Sequence, residues 1–173
     1  MGNGSAVKFK KNDWIVHSYH GVSRIEGIDH KRLDGEERTF FKVKAEDLTY
    51  WLPVNATDVQ HIRTISSVST LKKALTTIRR KPKKLGSDYR ARKARIKDVF
   101  SSSSLHAKAE LIRDLNGRCE RHRDNIYEEK MLDKLKQQFV DELMVATKCT
   151  QDEAREKLET ALRSSVAKME VIP

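Results

Sequence analysis

The sequence predicts an α+β chain: a small, strongly bent β-sheet or barrel, then a compact all-α bundle of about five helices. Three observations carry this. Residues 8–65 hold short runs rich in β-branched and aromatic side chains, separated by turn clusters. From Ser69 onward the apolar residues recur at helical spacing instead. Between the two halves the charge balance changes abruptly, which places a domain boundary at residues 66–67. Two domains are therefore expected, 1–66 and 67–173, with residues 1–7 a flexible lead-in.

The strand runs are Trp14-Ile-Val, Gly21-Val-Ser-Arg-Ile-Glu-Gly-Ile, Arg38-Thr-Phe-Phe-Lys-Val-Lys and Leu48-Thr-Tyr-Trp-Leu-Pro-Val. Ser18-Tyr-His-Gly, Leu33-Asp-Gly-Glu and Ala45-Glu-Asp separate them. Asp34-Gly35 is a hairpin-turn dipeptide, and Gly27 marks a bulge or bend of the kind small barrels need. Alternation turns Thr39, Phe41 and Val43 inward with Leu48, Tyr50 and Leu52, leaving Phe40, Lys42, Thr49 and Trp51 outside. A loop from Lys44 to Asp47 sets Phe40 opposite Trp51. Two large aromatics beside a lysine form either a docking surface or a patch covered by a helix or tail.

In the helical half, residues 68–81 carry Leu71, Leu75 and Ile78, and residues 87–100 carry Tyr89, Ile96 and Phe100. Residues 105–121 carry Leu105, Ala109, Ile112, Leu115 and Cys119; residues 126–147 carry Met131, Leu132, Leu135, Phe139 and Leu143. The last helix opens on the capping box Thr150-Gln-Asp-Glu153 and runs on through Ala154, Leu158, Ala161 and Leu162.

The 173 residues hold 35 Lys and Arg against 25 Asp and Glu, a net charge of +10. Residues 67–100 carry 12 of those cations and only 2 of the anions, so the excess lies in one segment. Clustered like charge repels itself, and a polyanion relieves the repulsion. A nucleic-acid phosphate footprint, a basic tether and, more weakly, an anionic membrane contact remain open. On the second helix Tyr89, Ile96 and Phe100 share one face, Arg90, Lys93 and Lys97 flank it, and Arg92 and Arg95 flank the other side. With Lys83 and Lys84 in the preceding turn, this is a phosphate grip. Tyr89 is either a contact with nucleic acid or a core residue. Lys130 and Lys134 extend the cationic surface or sit on a solvated face.

Several classes are set aside. No apolar run approaches the roughly 18 residues of a membrane span. The first residues, Met1-Gly-Asn-Gly-Ser-Ala, lack the pattern of a secretion signal, so a cytoplasmic protein is expected, nucleoid-associated if the basic segment binds DNA. Cys119 and Cys149 form no disulfide framework, and His17 and His20 find no further ligand, so no metal is expected. With no phosphate loop, dinucleotide fingerprint or nucleophile elbow, neither an enzyme nor a cofactor is expected.

The fragments Asp13-Trp-Ile-Val-His-Ser-Tyr-His-Gly-Val, Ile25-Glu-Gly-Ile, Leu33-Asp-Gly-Glu, Phe41-Lys-Val, Asp47-Leu-Thr and Leu52-Pro-Val resemble, in order and spacing, the CarD/CdnL family. The same domain opens the polymerase-binding module of bacterial transcription-repair coupling factor. Arg90-Ala-Arg-Lys-Ala-Arg-Ile, Glu110-Leu-Ile-Arg-Asp-Leu and Gln138-Phe-Val-Asp-Glu-Leu resemble the family's helical domain. The resemblance implies a bacterial transcription regulator, and a monomer is expected. Its Tudor-like domain would dock on the RNA polymerase β subunit by pairing sheet edges. Its helical domain would grip promoter DNA at the upstream edge of the bubble and stabilise the open complex. By position, the family's polymerase contacts fall near Lys31 and on Trp51, where the family commonly has Arg; the outward residues Phe40, Lys42 and Thr49 of the same sheet face complete the expected polymerase-binding set. The DNA contacts fall on Lys83, Lys84, Tyr89, Arg90, Arg92, Lys93 and Lys97. Asp88 stands where the family typically has a Trp that wedges into the minor groove; an aspartate there caps the helix instead. An architectural nucleic-acid binder acting without polymerase is the alternative.

Overall fold

The computed structural model describes residues 9–56 and 61–170. The chain forms two compact units, divided in sequence between Thr64 and Ile65; the expected flexible lead-in, residues 1–7, lies outside the described residues.

The first unit is an antiparallel sheet of five strands: β1 (Trp14–His17), β2 (Gly21–Leu33), β3 (Glu36–Lys44), β4 (Thr49–Pro53) and β5 (Ile62–Thr64), in the order β4-β3-β2-β1-β5. Asp34 and Gly35 both take positive φ, 53° and 83°, as a two-residue primed turn between paired Leu33 and Glu36 requires. The expected bulge lies between Ile25 and Gly27, where Glu26 is the extra residue. An extra residue inverts the alternation beyond it. Ile25 therefore points inward opposite Val43, while Gly27, Asp29 and Lys31 pair with Lys42, Phe40 and Arg38 on the opposite face. Ile15, Ile25, Phe41, Val43 and Ile62 form the core, with Tyr50 and Leu52 packed against it. The sequence runs did not single out β5, because Ile62 is its one buried side chain.

Two expectations for β3 and β4 are corrected. The connection is Ala45 to Leu48, one residue later than expected, so Lys42 rather than Phe40 stands opposite Trp51. Leu48 consequently lies in the loop and is exposed. The slip moves the register by two residues, which leaves the residues still paired in β3 and β4 on their expected faces.

The second unit packs five helices: α1 (Val68–Ile78), α2 (Tyr89–Ser101), α3 (Leu105–Arg121), α4 (Ile126–Thr147) and α5 (Gln151–Val166). Each begins on a polar residue whose side chain accepts a backbone N–H of the first turn: Ser67, Asp88, Ser104, Asn125 and Thr150. Thr150 and Glu153 complete the expected capping box. α1 ends at Ile78 with Arg79 as its C-cap, earlier than its periodicity suggests and four residues ahead of Pro82, whose ring would clash with the Ile78 carbonyl were the helix to continue. Leu71, Leu75, Ile78, Ile96, Phe100, Ile112, Leu115, Leu135, Phe139, Leu143, Leu158 and Leu162 belong to one core. No helix among the described residues is long and apolar enough to cross a membrane.

The turn between α1 and α2 rides on α3 through Gly117. A Cβ there would lie 2.5 Å from Pro82 Cβ and 2.7 Å from its Cγ. Gly117→Ala should therefore push the Pro82 turn off α3 and destabilise the protein by about 1–3 kcal/mol. Chemical denaturation measures this, and a neutral substitution would mean the turn gives way freely.

Candidate functional site

Each unit presents one surface that merits attention. On the sheet, the bulge and the register together set Asp29 and Lys31 of β2, Arg38, Phe40 and Lys42 of β3, and Trp51 of β4 on a single face. Trp51 keeps 40% of its surface exposed. Its indole Nε1 donates to Asp29 Oδ2 at 2.8 Å, and Lys31 Nζ sits 3.5 Å from the ring centroid. The ring is thus held by a hydrogen bond and a cation–π contact from the same strand. Lys42, facing Trp51, pairs with Glu26 at 3.7 Å. Thr49 lies at the far end opposite Lys44, half-buried.

Phe40 departs from expectation. Flanked by Asp29 and Pro53, it is only 9% exposed and offers little ring surface for docking. Residues not anticipated as part of this face are Asp29, which anchors the indole, and Trp14, exposed with the Arg24 guanidinium 5.6 Å from its ring. Trp14 was visible as the outward neighbour of Ile15. Asp29 was not, because its face depends on the bulge.

The histidines of the β1–β2 turn have a local role. His17 Nδ1 accepts the amide hydrogens of Tyr19 at 3.1 Å and His20 at 3.3 Å. Nearby, the Tyr50 hydroxyl donates to Ser23 Oγ at 3.0 Å, and burial raises its pKa against the lowering effect of that bond. Among the described residues no group of three or more His, Cys, Asp or Glu is arranged to hold a metal.

On the helical unit, two buried carboxylates sort the cations. Glu128 of α4, 1% exposed, accepts Arg92 Nε at 2.6 Å on one oxygen and Arg118 Nε at 2.7 Å on the other. Arg92 also donates to the carbonyls of Gly86 at 2.9 Å and Ser87 at 2.7 Å, which closes the turn ahead of α2. Asp114 of α3 accepts the backbone N–H of Lys83 at 2.9 Å, Arg113 Nε at 2.7 Å and Arg95 Nη2 at 3.1 Å. Arg92 is therefore not a surface cation: at 7% exposure it is an internal clamp, and its expected place among the phosphate contacts is corrected. A charge leaves water only when partnered, and here the partner is Glu128.

What stays outside is a smaller set. Lys83, Lys84, Arg90 and Lys97 are exposed, while Lys93 is half-buried with its ammonium 5.3 Å from the Tyr127 ring. Asp88 caps α2 by accepting the Arg90 N–H at 2.8 Å, as the position suggested. Tyr89 does not join the Ile96 and Phe100 core; it is 40% exposed at the start of α2, close enough to Tyr127 to help burial raise the Tyr127 pKa. Lys134, one turn beyond Lys130 on α4, lies 5.5 Å from the Phe100 ring.

Comparison with known families covers both surfaces. Residues 9–66 match the CarD-like/TRCF RID domain, and residues 73–159 match the CarD C-terminal domain. The chain belongs to the CarD/CdnL family. Its first domain is thus of the RNA-polymerase-interacting kind, and CarD domains are those of non-enzymatic transcription factors. The five-stranded sheet is the Tudor-like domain and the five helices are the CarD C-terminal domain.

Two outcomes follow for the CarD-family bundle. Arg92→Ala strands part of a buried carboxylate and should cost about 3 kcal/mol, whereas Arg90→Ala should change stability by less than about 0.5 kcal/mol. Equal effects in thermal denaturation would mean the two arginines share one environment. The Cys119 thiol is pushed up to about 11, first by burial and then by the Glu128 and Glu129 carboxylates. Its alkylation in the native protein at pH 8 should run about a hundredfold slower than that of free cysteine, and a rate near the free value would show that these charges do not reach it.

Proposed function

We propose that this protein docks on the β subunit of RNA polymerase through its sheet, residues 1–66, and holds promoter DNA through residues 67–173, prolonging the life of the open complex. The observation that carries the reading is the pinned Trp51. An aromatic plane held by Asp29 and Lys31 stands on β4, an edge strand of the kind to which a partner adds a further strand. Because the indole is fixed before contact, docking loses little side-chain entropy. Trp51, Lys31 and Lys42 are the contacts on this side, with Thr49 at the margin.

On the DNA side, Lys83, Lys84, Arg90 and Lys97 are the phosphate contacts, with Lys93 a partial one. Tyr89, exposed beside Tyr127, is the aromatic that meets the bubble edge in place of the tryptophan whose position Asp88 occupies. In this role the protein works in the bacterial cytoplasm, on the nucleoid.

Open-complex lifetime on a promoter fragment, with bacterial RNA polymerase, tests the reading. The wild-type protein should lengthen it; Trp51→Ala should remove the effect by weakening polymerase binding. A triple Lys84→Glu, Arg90→Glu and Lys97→Glu variant should remove the effect while polymerase binding persists. Tyr89→Ala should shorten the lifetime and leave both binding steps in place. Stimulation that survives Trp51→Ala would favour an architectural DNA binder that needs no polymerase contact.

A further inference from the structure

We propose that the cleft between the α1–α2 turn and the C-terminal end of α3 seats a phosphate of the DNA backbone, and that Glu170 occupies this seat as an internal competitor. The inference rests on the DNA reading above and adds to it a binding seat and a means of regulating it.

The cleft measures about 340 Å³ and is lined by Lys81, Lys84, Arg121 and His122, with Pro82 and Met169 closing its apolar side. Arg118 also borders it, but its guanidinium is turned to Glu128. Among the described residues, the acid that lines the cleft with these cations is Glu170. Glu170 Oε1 accepts Lys81 Nζ at 2.8 Å, and the Glu170 backbone carbonyl accepts Arg121 Nη2 at 3.3 Å. The hydrogen bond and charge of Lys81, then the charges of Lys84 and Arg121, hold the Glu170 carboxyl below the ordinary range. An oxyanion at this spot is stabilised from three cationic directions.

The backbone that carries Glu170 is anchored independently of its carboxylate. Ser165 Oγ donates to the Arg80 carbonyl at 2.7 Å, and Lys168 Nζ donates to that of Arg79. Met169 Sδ lies 3.5 Å from where a Gly117 Cβ would stand. The ion pair itself is loose: the side chains of Lys81 and Glu170 are 53% and 81% exposed. Such a pair is weak and screened by salt, so it excludes an incoming phosphate without locking the cleft. DNA is the favoured anion because Lys83 and Lys84 also line the cleft and Arg90 follows them at the start of α2, all three exposed, and a run of cations suits an extended backbone better than one isolated phosphate.

The test compares full-length wild type, Glu170→Gln and Glu156→Gln for affinity to a promoter DNA fragment across a salt series. Glu156 forms a matched exposed pair with Arg163 at 2.7 Å near the start of α5, so its neutralisation removes the same charge away from the cleft. Glu170→Gln should tighten binding about two- to fivefold at low salt, and more than Glu156→Gln does. Lys81→Gln should weaken binding, flatten the salt slope and cancel the Glu170→Gln gain in the double variant. Equal gains at positions 170 and 156, or a gain that persists with Lys81→Gln, would overturn the seat and its competitor while leaving the DNA reading intact. No DNA binding by any of these proteins would remove both.

Discussion

The helical unit depends on the carboxylate of Glu128. Helix α2 is cationic and poor in apolar residues; of its thirteen positions only Arg92, Ile96 and Phe100 are buried. Two apolar side chains are a slight hold for a helix, and its like charges repel one another. Glu128 resolves this by drawing in Arg92 from α2 and Arg118 from α3, so three helices meet on one side chain. Asp114 repeats the arrangement with Arg95 of α2 and with the backbone of the Pro82 turn. Burying these carboxylates is unfavourable by itself, and only full pairing makes it tolerable. The basic segment is thus divided between cations that hold the helix and cations that face water.

The sheet shows a comparable economy. One extra residue, Glu26, inverts the alternation of β2 and brings Asp29 and Lys31 to the face that carries Trp51. Without that inversion Asp29 and Lys31 would point with Ile25 into the core side, and the indole would have neither its hydrogen bond nor its cation. The bulge therefore bends the strand and also composes the Trp51 face of a CarD-family domain. Trp51 contributes area, whereas its orientation belongs to Asp29 and Lys31.

The two surfaces differ in how they manage solvent. On the sheet an aromatic ring stays partly in water and is steadied from the side. On the bundle the exposed cations at Lys83, Lys84, Arg90 and Lys97 stand over a layer of buried ion pairs that fixes the helix beneath them. Screening by salt weakens the first kind of charge and barely touches the second. A cationic surface built this way can respond to ionic strength while its scaffold does not.

Much of this was legible in the chain itself. Period two and period 3.6 separated sheet from bundle, the Asp34-Gly35 turn and the Thr150 box marked element ends, and the order of motifs named the family, because these signals are local. Inward and outward positions on β3 and β4 survived even a two-residue error in register, since a strand repeats every two residues. The fate of individual cations was not legible. Arg90 and Arg92 flank the apolar face of α2 on opposite sides, and no local signal says which is drawn in; one is exposed and the other is enclosed by Glu128, thirty-six residues away. Phe40, Asp29 and Tyr89 were decided in the same manner, by a register, a bulge and a neighbouring helix. Local pattern determines which elements form; which charges stay in water depends on partners that only the folded chain brings together.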